Sequence, residues 1–332
     1  IYNNMKLITI LFISLFLITQ VGMGQTADSS IIITTANTNN EPHLDTHLAN
    51  KPVNFKKRLR LVTSLQGLGY GASMVGLNKI WYAGYPKSSF HYYNDAGEWL
   101  DMDKVGHVYT AYSLSRLSFR TWEWAGVPHK KAVLLAGFSG LAYQTVIETL
   151  DGYSTQWGWS WSDIGSNTNV VGLRMVKELL WKKQRVRLKF SAHYNKYNDK
   201  QLQDRTNQFF GSVFTERLFK DYNAQTYWLS ANLHDFNNQL PVPKWLNIAV
   251  GYGADNMFGG YGNNWPSPNG DIVRDDIKRY QQWYLSLDVD FEKIPTKKKW
   301  VKSMFFVLNA IKFPAPTLIL SNGKWSSQWL YY

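Results

Sequence analysis

The chain has 332 residues, a formal net charge of +12 and no cysteine. Its length allows one large domain or two smaller ones, and the lack of thiols excludes disulfides, thiolate metal sites and a lipid anchor on a lipobox cysteine within these residues. Charged residues make up only 18% and aromatic residues 16%, a balance typical of membrane–water interfaces, although a glycan-binding surface or an aromatic core would give it too.

The chain opens with an apolar segment. Residues 1–24 contain one lysine, Lys6, an apolar run at residues 7–18 and small residues before Gln25. This order is that of a secretory signal peptide, and the run is shorter than the ~20 apolar residues that a spanning helix needs. We predict a signal peptide over 1–24, in which residues 1–4 are an upstream extension. Export to the envelope excludes nucleic acid as a partner.

Two further regions precede the first predicted strand. Residues 25–54 are rich in Thr, Asn and Ser without a regular period, which predicts a flexible leader. Residues 55–184 have helical periodicity and form the predicted helical domain, an apolar bundle of about four helices. The predicted helices are Leu59–Trp81, Asp101–Arg120, Lys130–Leu150 and one that begins at Ser162 or Asp163 and ends near Lys183.

The apolar period changes to two at residue 185, which predicts an antiparallel β domain over 185–332. Such strands suit an open antiparallel sheet and also a partial or complete β-barrel in an outer membrane. The predicted fold class is therefore α+β. The predicted strands are residues 186–194, 226–234, 245–255, 280–291, 316–320 and 324–332, and the stretches 209–218 and 303–311 could be either helix or strand.

Polar residues recur on the predicted helices at helical spacing. Asp103 and His107 are four residues apart on the second helix, so they share a face, and Lys104 lies beside them. On the third helix, Gln144, Glu148 and Asp151 form a stripe on an otherwise apolar segment. Gly137 and Gly140 continue that stripe, and Gly67 and Gly71 share a face of the first helix, which would allow close approach of a neighbouring helix at both places.

A third polar set surrounds the start of the fourth helix and comprises Ser160, Asp163 and Asn167. A buried carboxylate such as Glu148 costs several kcal/mol unless it is paired, protonated or bound to a cation. We therefore predict a shared polar pocket. His107, Glu148 and Asp163 are its candidate catalytic residues, and the other pocket residues are Asp103, Lys104, Gln144, Asp151, Ser160 and Asn167.

Each of these residues also has a purely structural interpretation. Asp163 could cap the fourth helix, Asp103 could cap the second, and Glu148 could pair with Lys104 or Arg116 to fix the helix register. The chain has no local metal-binding signature, so no metal is predicted and the cofactor stays open.

The motifs resemble those of a known family. The segments from Asp103 to His107, from Gln144 to Gly152 and from Trp157 to Asn167 resemble the YfiM-like family of periplasmic or outer-membrane lipoproteins, which has no established activity. They are more faintly similar to VanZ-like membrane proteins. Two later segments, Lys220–Ser230 and Phe313–Leu318, resemble the longer Bacteroidota branch of the YfiM-like family. This sequence departs from the family's description as lipoproteins, because it has no cysteine.

Two function classes follow. The first is a structural or accessory component of the outer membrane or its periplasmic face, in which the pocket only holds the helices in register. The second is an envelope enzyme that acts on lipid or glycan through His107, Glu148, Asp151 and Asp163. Three basic clusters, at residues 56–58, 182–187 and 297–299, favour outer-membrane lipid or lipopolysaccharide as a partner, and other envelope proteins are further candidates.

Overall fold

The computed structural model describes residues 54–181, 184–268 and 270–331. Within these ranges the chain is a mixed fold of eight α-helices and eight strands, which confirms the predicted combination of helix and sheet. The predicted signal peptide and nearly all of the predicted leader lie outside the described residues. The division of the rest into a helical and a β domain stays a prediction.

Four long helices precede the first strand: α1 (Phe55–Leu77), α2 (Met102–Ala125), α3 (His129–Gly152) and α4 (Trp161–Trp181). Four shorter helices follow: α5 (Lys200–Phe210), α6 (Phe214–Lys220), α7 (Leu233–Phe236) and α8 (Lys299–Leu308). The two stretches that could have been helix or strand, 209–218 and 303–311, are therefore mostly helical.

Helices α2, α3 and α4 pack against one another, and glycines allow this close approach. A Cβ on Gly140 of α3 would lie 3.0 Å from the carbonyl oxygen of Ala111 in α2. A Cβ on Gly137 would lie within contact distance of Met175 in α4. The expectation for Gly67 and Gly71 was wrong, because no atom of the described residues lies within 4 Å of a Cβ built on either of them.

The eight strands are β1 (Val186–Ala192), β2 (Gln225–Asn232), β3 (Leu246–Asp255), β4 (Asn264–Trp265), β5 (Ile272–Val273), β6 (Tyr280–Val289), β7 (Ala315–Ser321) and β8 (Lys324–Tyr331). Six of them form one antiparallel sheet in the order β1-β2-β3-β6-β7-β8, and β4 pairs with β5 in a separate hairpin.

The large sheet is curled but open. Lys189 on β1 lies 2.8 Å from Asp288 on β6, although two strands separate them. Phe190 donates its N–H to the carbonyl of Ala310 and accepts from the N–H of Lys312, so the segment before β7 lies along the free edge of β1. Strands β1 and β8 do not pair with each other among the described residues. The sequence analysis allowed a complete β-barrel, and the described residues do not form one.

The two faces of this sheet differ in polarity. Its concave face is mixed, because it buries an apolar and aromatic cluster together with many polar side chains. The cluster comprises Trp228, Ala249, Tyr284, Ile319 and Tyr331, and the polar side chains are Lys189, Ser191, Ser230, Asn247, Ser286, Asp288 and Thr317. Its other face leaves apolar side chains exposed, among them Leu229, Val250, Leu285 and Leu318. Helix α2 covers one end of this apolar face, where the ring of Tyr109 packs against Phe190 and Tyr227. In a soluble antiparallel sheet the solvated face is the polar one.

Candidate functional site

The segment before α2 fixes the direction in which that helix begins. Trp99, Leu100 and Asp101 all have left-handed backbone conformations, with φ of 52°, 51° and 63°. Such a conformation is unfavourable for residues other than glycine. Burial of the Trp99 ring against Phe210 and a hydrogen bond from the Trp99 N–H to the carbonyl of Gly260 offset this cost. The segment thus holds the first turn of α2 against the β region.

Lys104, in that first turn, joins three carboxylates. Its Nζ lies 2.6 Å from Asp95, 3.1 Å from Asp103 and 2.9 Å from Asp163. The side chain of Lys104 is only 11% exposed, so this charge needs such partners to be stable inside the protein. The hydroxyl of Tyr222 donates to Asp103 Oδ1 over 2.9 Å and connects the site to the residues just before β2.

His107 lies one turn further along α2 and faces two carboxylates. Its Nδ1 lies 3.5 Å from Glu148 Oε1, and its Nε2 lies 3.8 Å from Asp103 Oδ1. Glu148 is 1% exposed, and its other oxygen accepts the backbone N–H of Ser160. One ligand atom each of Asp103, His107 and Asp163 lies within 4.8 Å of the others. The three candidate catalytic residues, His107, Glu148 and Asp163, therefore lie close together.

Two buried amides complete the surroundings of His107. Gln144 Nε2 lies 3.2 Å from the His107 carbonyl oxygen, from Asn167 Oδ1 and from His107 Nδ1. Asn167 Nδ2 lies 3.4 Å from the same ring nitrogen. Gln144 thus links α2 to α4, and the two amides limit the positions that the imidazole ring can adopt.

Ser160 caps α4, and this decides the role of Asp163. The Ser160 hydroxyl accepts the N–H of Asp163 and donates to Asp95, so Asp163 is not the helix cap that the structural interpretation expected. Its carboxylate points to Lys104 instead. Asp103 is not the cap of α2, because it lies in the first turn after the N-cap Asp101. The proposed pairing of Glu148 also fails, because Lys104 binds Asp95, Asp103 and Asp163, and Arg116 binds Glu292, 2.8 Å away. Neither cation contacts Glu148.

Burial and crowding of the carboxylates change their pKa values. Burial raises the pKa of Glu148 to about 8 and the pKa of Asp163 to about 7, with only partial opposition from His107. Burial also raises the pKa of Asp151 to about 7, although Tyr82 donates a hydrogen bond to it. Burial acts against ionisation of Asp95 as well, but Lys104 and Ser160 lower its pKa to about 2. Carboxyl groups that can bind a proton near neutral pH therefore lie close to Asp95, which stays ionised.

Sequence reasoning missed three contributors: Asp95, Tyr82 and Tyr222. Asp95 comes from the loop between α1 and α2, and Tyr82 follows α1. Tyr222 lies in a short turn before β2, more than a hundred residues from its partner Asp103. No spacing pattern joins these residues to the helical stripes, although Tyr222 falls in one of the segments that carry the family resemblance.

Residues 91–177 match the model of the family described as predicted periplasmic lipoprotein (DUF2279). This segment contains Asp95 and all nine predicted pocket residues, and it indicates a periplasmic, envelope-associated location. No curated protein and no solved structure matches the chain.

Proposed function

We propose that this chain is an envelope protein associated with the outer membrane, where it acts as a structural or accessory component in contact with lipid. The observation that carries this proposal is the exposed apolar face of the large sheet. Leu285 and Leu318 are exposed on two neighbouring strands, while Ser286 and Thr317 beside them are buried.

An exposed apolar sheet face is costly in water and favourable in lipid. Soluble monomers rarely expose large contiguous apolar patches, whereas strands in an outer membrane alternate apolar residues outward with polar residues inward. Strand β8 adds Trp325 and Trp329, whose side chains are 69% and 85% exposed. Indole rings favour the boundary between lipid and water. Both features support lipid contact by this face.

The helical half supports the same placement more weakly. Among the described helices, only α3 is long and apolar enough to cross a membrane by length and composition, a property that core helices of soluble proteins share. Its surface exposes Leu134, Phe138 and Val146. We propose that this stripe lies against lipid.

The basic residues divide into two groups. Lys56 and Lys57 at the start of α1, and Lys297–Lys299 near the start of α8, are exposed and can contact anionic lipid or lipopolysaccharide. Arg187 was also expected in a lipid-binding cluster, but it forms ion pairs with Asp290 and Glu292 inside the protein. Lipid, lipopolysaccharide and other envelope proteins remain the proposed partners.

Vesicle flotation tests this proposal. The purified chain is mixed with vesicles of phosphatidylethanolamine and phosphatidylglycerol, and we expect it to float with them. Replacing Leu285 and Leu318 by serine should reduce the floated fraction several-fold. A matched control replaces Tyr261 and Val273, which are more exposed but lie outside the large sheet, by serine. Equal flotation of the two variants would contradict the proposal, as would recovery of the wild-type protein in the soluble periplasmic fraction.

An envelope enzyme acting on lipid is the second candidate. The observation that favours it is the buried contact of His107 with Glu148, where burial raises the pKa of Glu148 to about 8. A cleft of about 360 Å³ between α2, α4 and the first two strands is lined by Val108, Leu173 and Arg174, and none of the candidate catalytic residues lines it. In this function His107 is the general base, and Glu148, Asp151 and Asp163 are the carboxylates. The motifs that resemble YfiM-like and VanZ-like proteins lie within residues 91–177, and we propose a relationship to them on that basis.

A further inference from the structure

We infer that Asp103, His107 and Asp163 form a binding site for a divalent metal ion, with one carboxylate oxygen from each aspartate and Nε2 of His107 as ligands. This inference does not depend on membrane association. It starts from the geometry of two helices whose first two turns bring three ligand atoms within 4.8 Å of one another. Metal–ligand bonds to nitrogen and oxygen are about 2.0–2.2 Å long, so the bound ligands are about 3–4 Å apart. Binding therefore requires side-chain rotations that bring these atoms closer together.

Glu148 is the positioning residue for the imidazole ring. A histidine that binds a metal through one nitrogen usually donates the other N–H to a carboxylate, which fixes the tautomer. Glu148 Oε1 lies 3.5 Å from His107 Nδ1, on the side of the ring away from Asp103. That oxygen is buried and accepts no hydrogen bond from any described residue. It is therefore available to accept the N–H of Nδ1.

The hydrogen bonds of Gln144 are compatible with a proton on His107 Nδ1. Its amide nitrogen carries two hydrogens, and two oxygens, the His107 carbonyl and Asn167 Oδ1, each lie 3.2 Å away. When both hydrogens are donated to these oxygens, none is directed at Nδ1. His107 Nδ1 can then carry its own proton toward Glu148, which leaves the Nε2 lone pair on the side of Asp103.

The balance of charge also favours a bound cation. Five carboxylates surround the site: Asp95, Asp103, Glu148, Asp151 and Asp163. Lys104 contacts three of them, and its single charge is shared among Asp95, Asp103 and Asp163. With His107 neutral, as a metal ligand must be, Lys104 faces five acidic groups in a largely buried region. When all five are ionised, a divalent cation bound by Asp103 and Asp163 removes half of the excess of four negative charges.

The ligand types indicate which metal ion fits. Calcium takes six to eight oxygen ligands, and magnesium retains several water molecules. One imidazole with two carboxylates suits zinc or another borderline first-row ion such as manganese, with water in the remaining positions. We therefore infer that the site prefers Zn²⁺ or Mn²⁺ to Ca²⁺.

Metal titration of the full chain tests the site. Protein purified in mild detergent is treated with a chelator, dialysed and titrated with Zn²⁺, Mn²⁺ or Ca²⁺, and binding is followed by calorimetry. We expect one saturable site for Zn²⁺ or Mn²⁺ and weaker binding of Ca²⁺. Asp103→Asn and His107→Gln should each weaken it at least 100-fold. Glu148→Gln should weaken it about 10–100-fold, the range for groups that orient a metal ligand.

The control is a second histidine–carboxylate pair in the same chain. His129 Nδ1 lies 3.4 Å from Glu123 Oε1, outside the cluster, so His129→Gln should leave metal affinity unchanged. Circular dichroism checks that each variant is folded. If His107→Gln fails to fold, Asp103→Asn decides the question, because the Asp103 side chain is 25% exposed and tolerates a neutral isostere more easily.

Three results would overturn the inference. The first is the absence of saturable Zn²⁺ or Mn²⁺ binding by the wild-type protein, which would leave Lys104 as the cation of the site. The second is equal affinity in Asp103→Asn and His129→Gln. The third is tighter binding of Ca²⁺ than of both first-row ions, which would indicate a different ligand set.

Discussion

Two regions of the molecule bury charged side chains, and they differ in how those charges are balanced. Inside the curled sheet, Lys189 and Asp288 form an ion pair of 2.8 Å in which both side chains are 0% exposed. Arg187 lies between Asp290 and Glu292. Each of these three carboxylates therefore has a cation beside it. Asp288 also accepts hydrogen bonds from the Ser230 hydroxyl and from the Phe313 N–H.

The cluster around His107 lacks this balance. Glu148 has no cation beside it except His107, and one of its oxygens accepts no hydrogen bond from any residue that the structure describes. Buried groups that only hold a fold together are normally satisfied, whereas groups with shifted pKa values and open partners concentrate at functional sites. We interpret the sheet pair as structural, and we propose a binding or chemical role for the helical cluster.

The largest expected effect is in the sheet. Asp288→Asn leaves Lys189 buried without a counter-charge and should lower the free energy of unfolding by about 3–5 kcal/mol. Replacing both members of the pair by Leu and Met should recover much of that loss, because an apolar pair needs no compensating charge. Urea denaturation in mild detergent measures both variants. A loss below about 1 kcal/mol for Asp288→Asn would show that the pair is not structural.

A pH experiment examines the same region. Burial lowers the pKa of Lys312 to about 8, with partial opposition from Asp288. The unfolded chain therefore binds more protons than the folded protein between pH 8 and 10.5, and stability should rise with pH in this window, by at most about 3 kcal/mol. The measurement is the difference in unfolding free energy between wild type and Lys312→Met. A difference that stays constant from pH 8 to 10.5 would contradict the expected shift.

Packing, rather than charge, should stabilise the helical region. Gly140→Ala places a methyl group 3.0 Å from the Ala111 carbonyl oxygen and should cost about 1–3 kcal/mol. Gly165 on α4 is the matched control, because no described atom lies within 4 Å of a Cβ built there. Gly165→Ala should stabilise the protein by up to about 1 kcal/mol. Equal melting temperatures for the two variants would argue against close packing of α2 and α3.

The smallest effect on stability is expected at Glu148. Glu148→Gln keeps the shape and the acceptor for the Ser160 N–H, and it removes one negative charge from a crowded group. Its unfolding free energy should stay within about 1 kcal/mol of wild type or rise, since functional sites often trade stability for activity. Metal affinity and the phenotype of the strain should suffer instead. A loss of 3–5 kcal/mol, like that expected for Asp288→Asn, would make the cluster structural and remove the difference between the two regions.

Much of the local structure could be predicted from the sequence. The helix from His129 to Gly152 was expected within two residues at each end, because its apolar residues follow the helical period and Pro128 precedes it. Gly137 and Gly140 were assigned correctly to a close helix contact. Gly67 and Gly71 were not, because a glycine pair shows that a close approach is possible but does not supply a partner helix.

The sequence by itself determined the type of each long element and the polar stripes of the helices, because hydrogen bonding within a helix and alternation along a strand are local properties. Only the tertiary structure decided which face of the sheet is buried, since a period of two defines two faces without showing which of them is covered. It also decided that Lys104 binds Asp95, that Glu148 faces His107 and that Tyr222 reaches Asp103. These contacts join residues on different elements, so their geometry depends on how the helices and the sheet pack together.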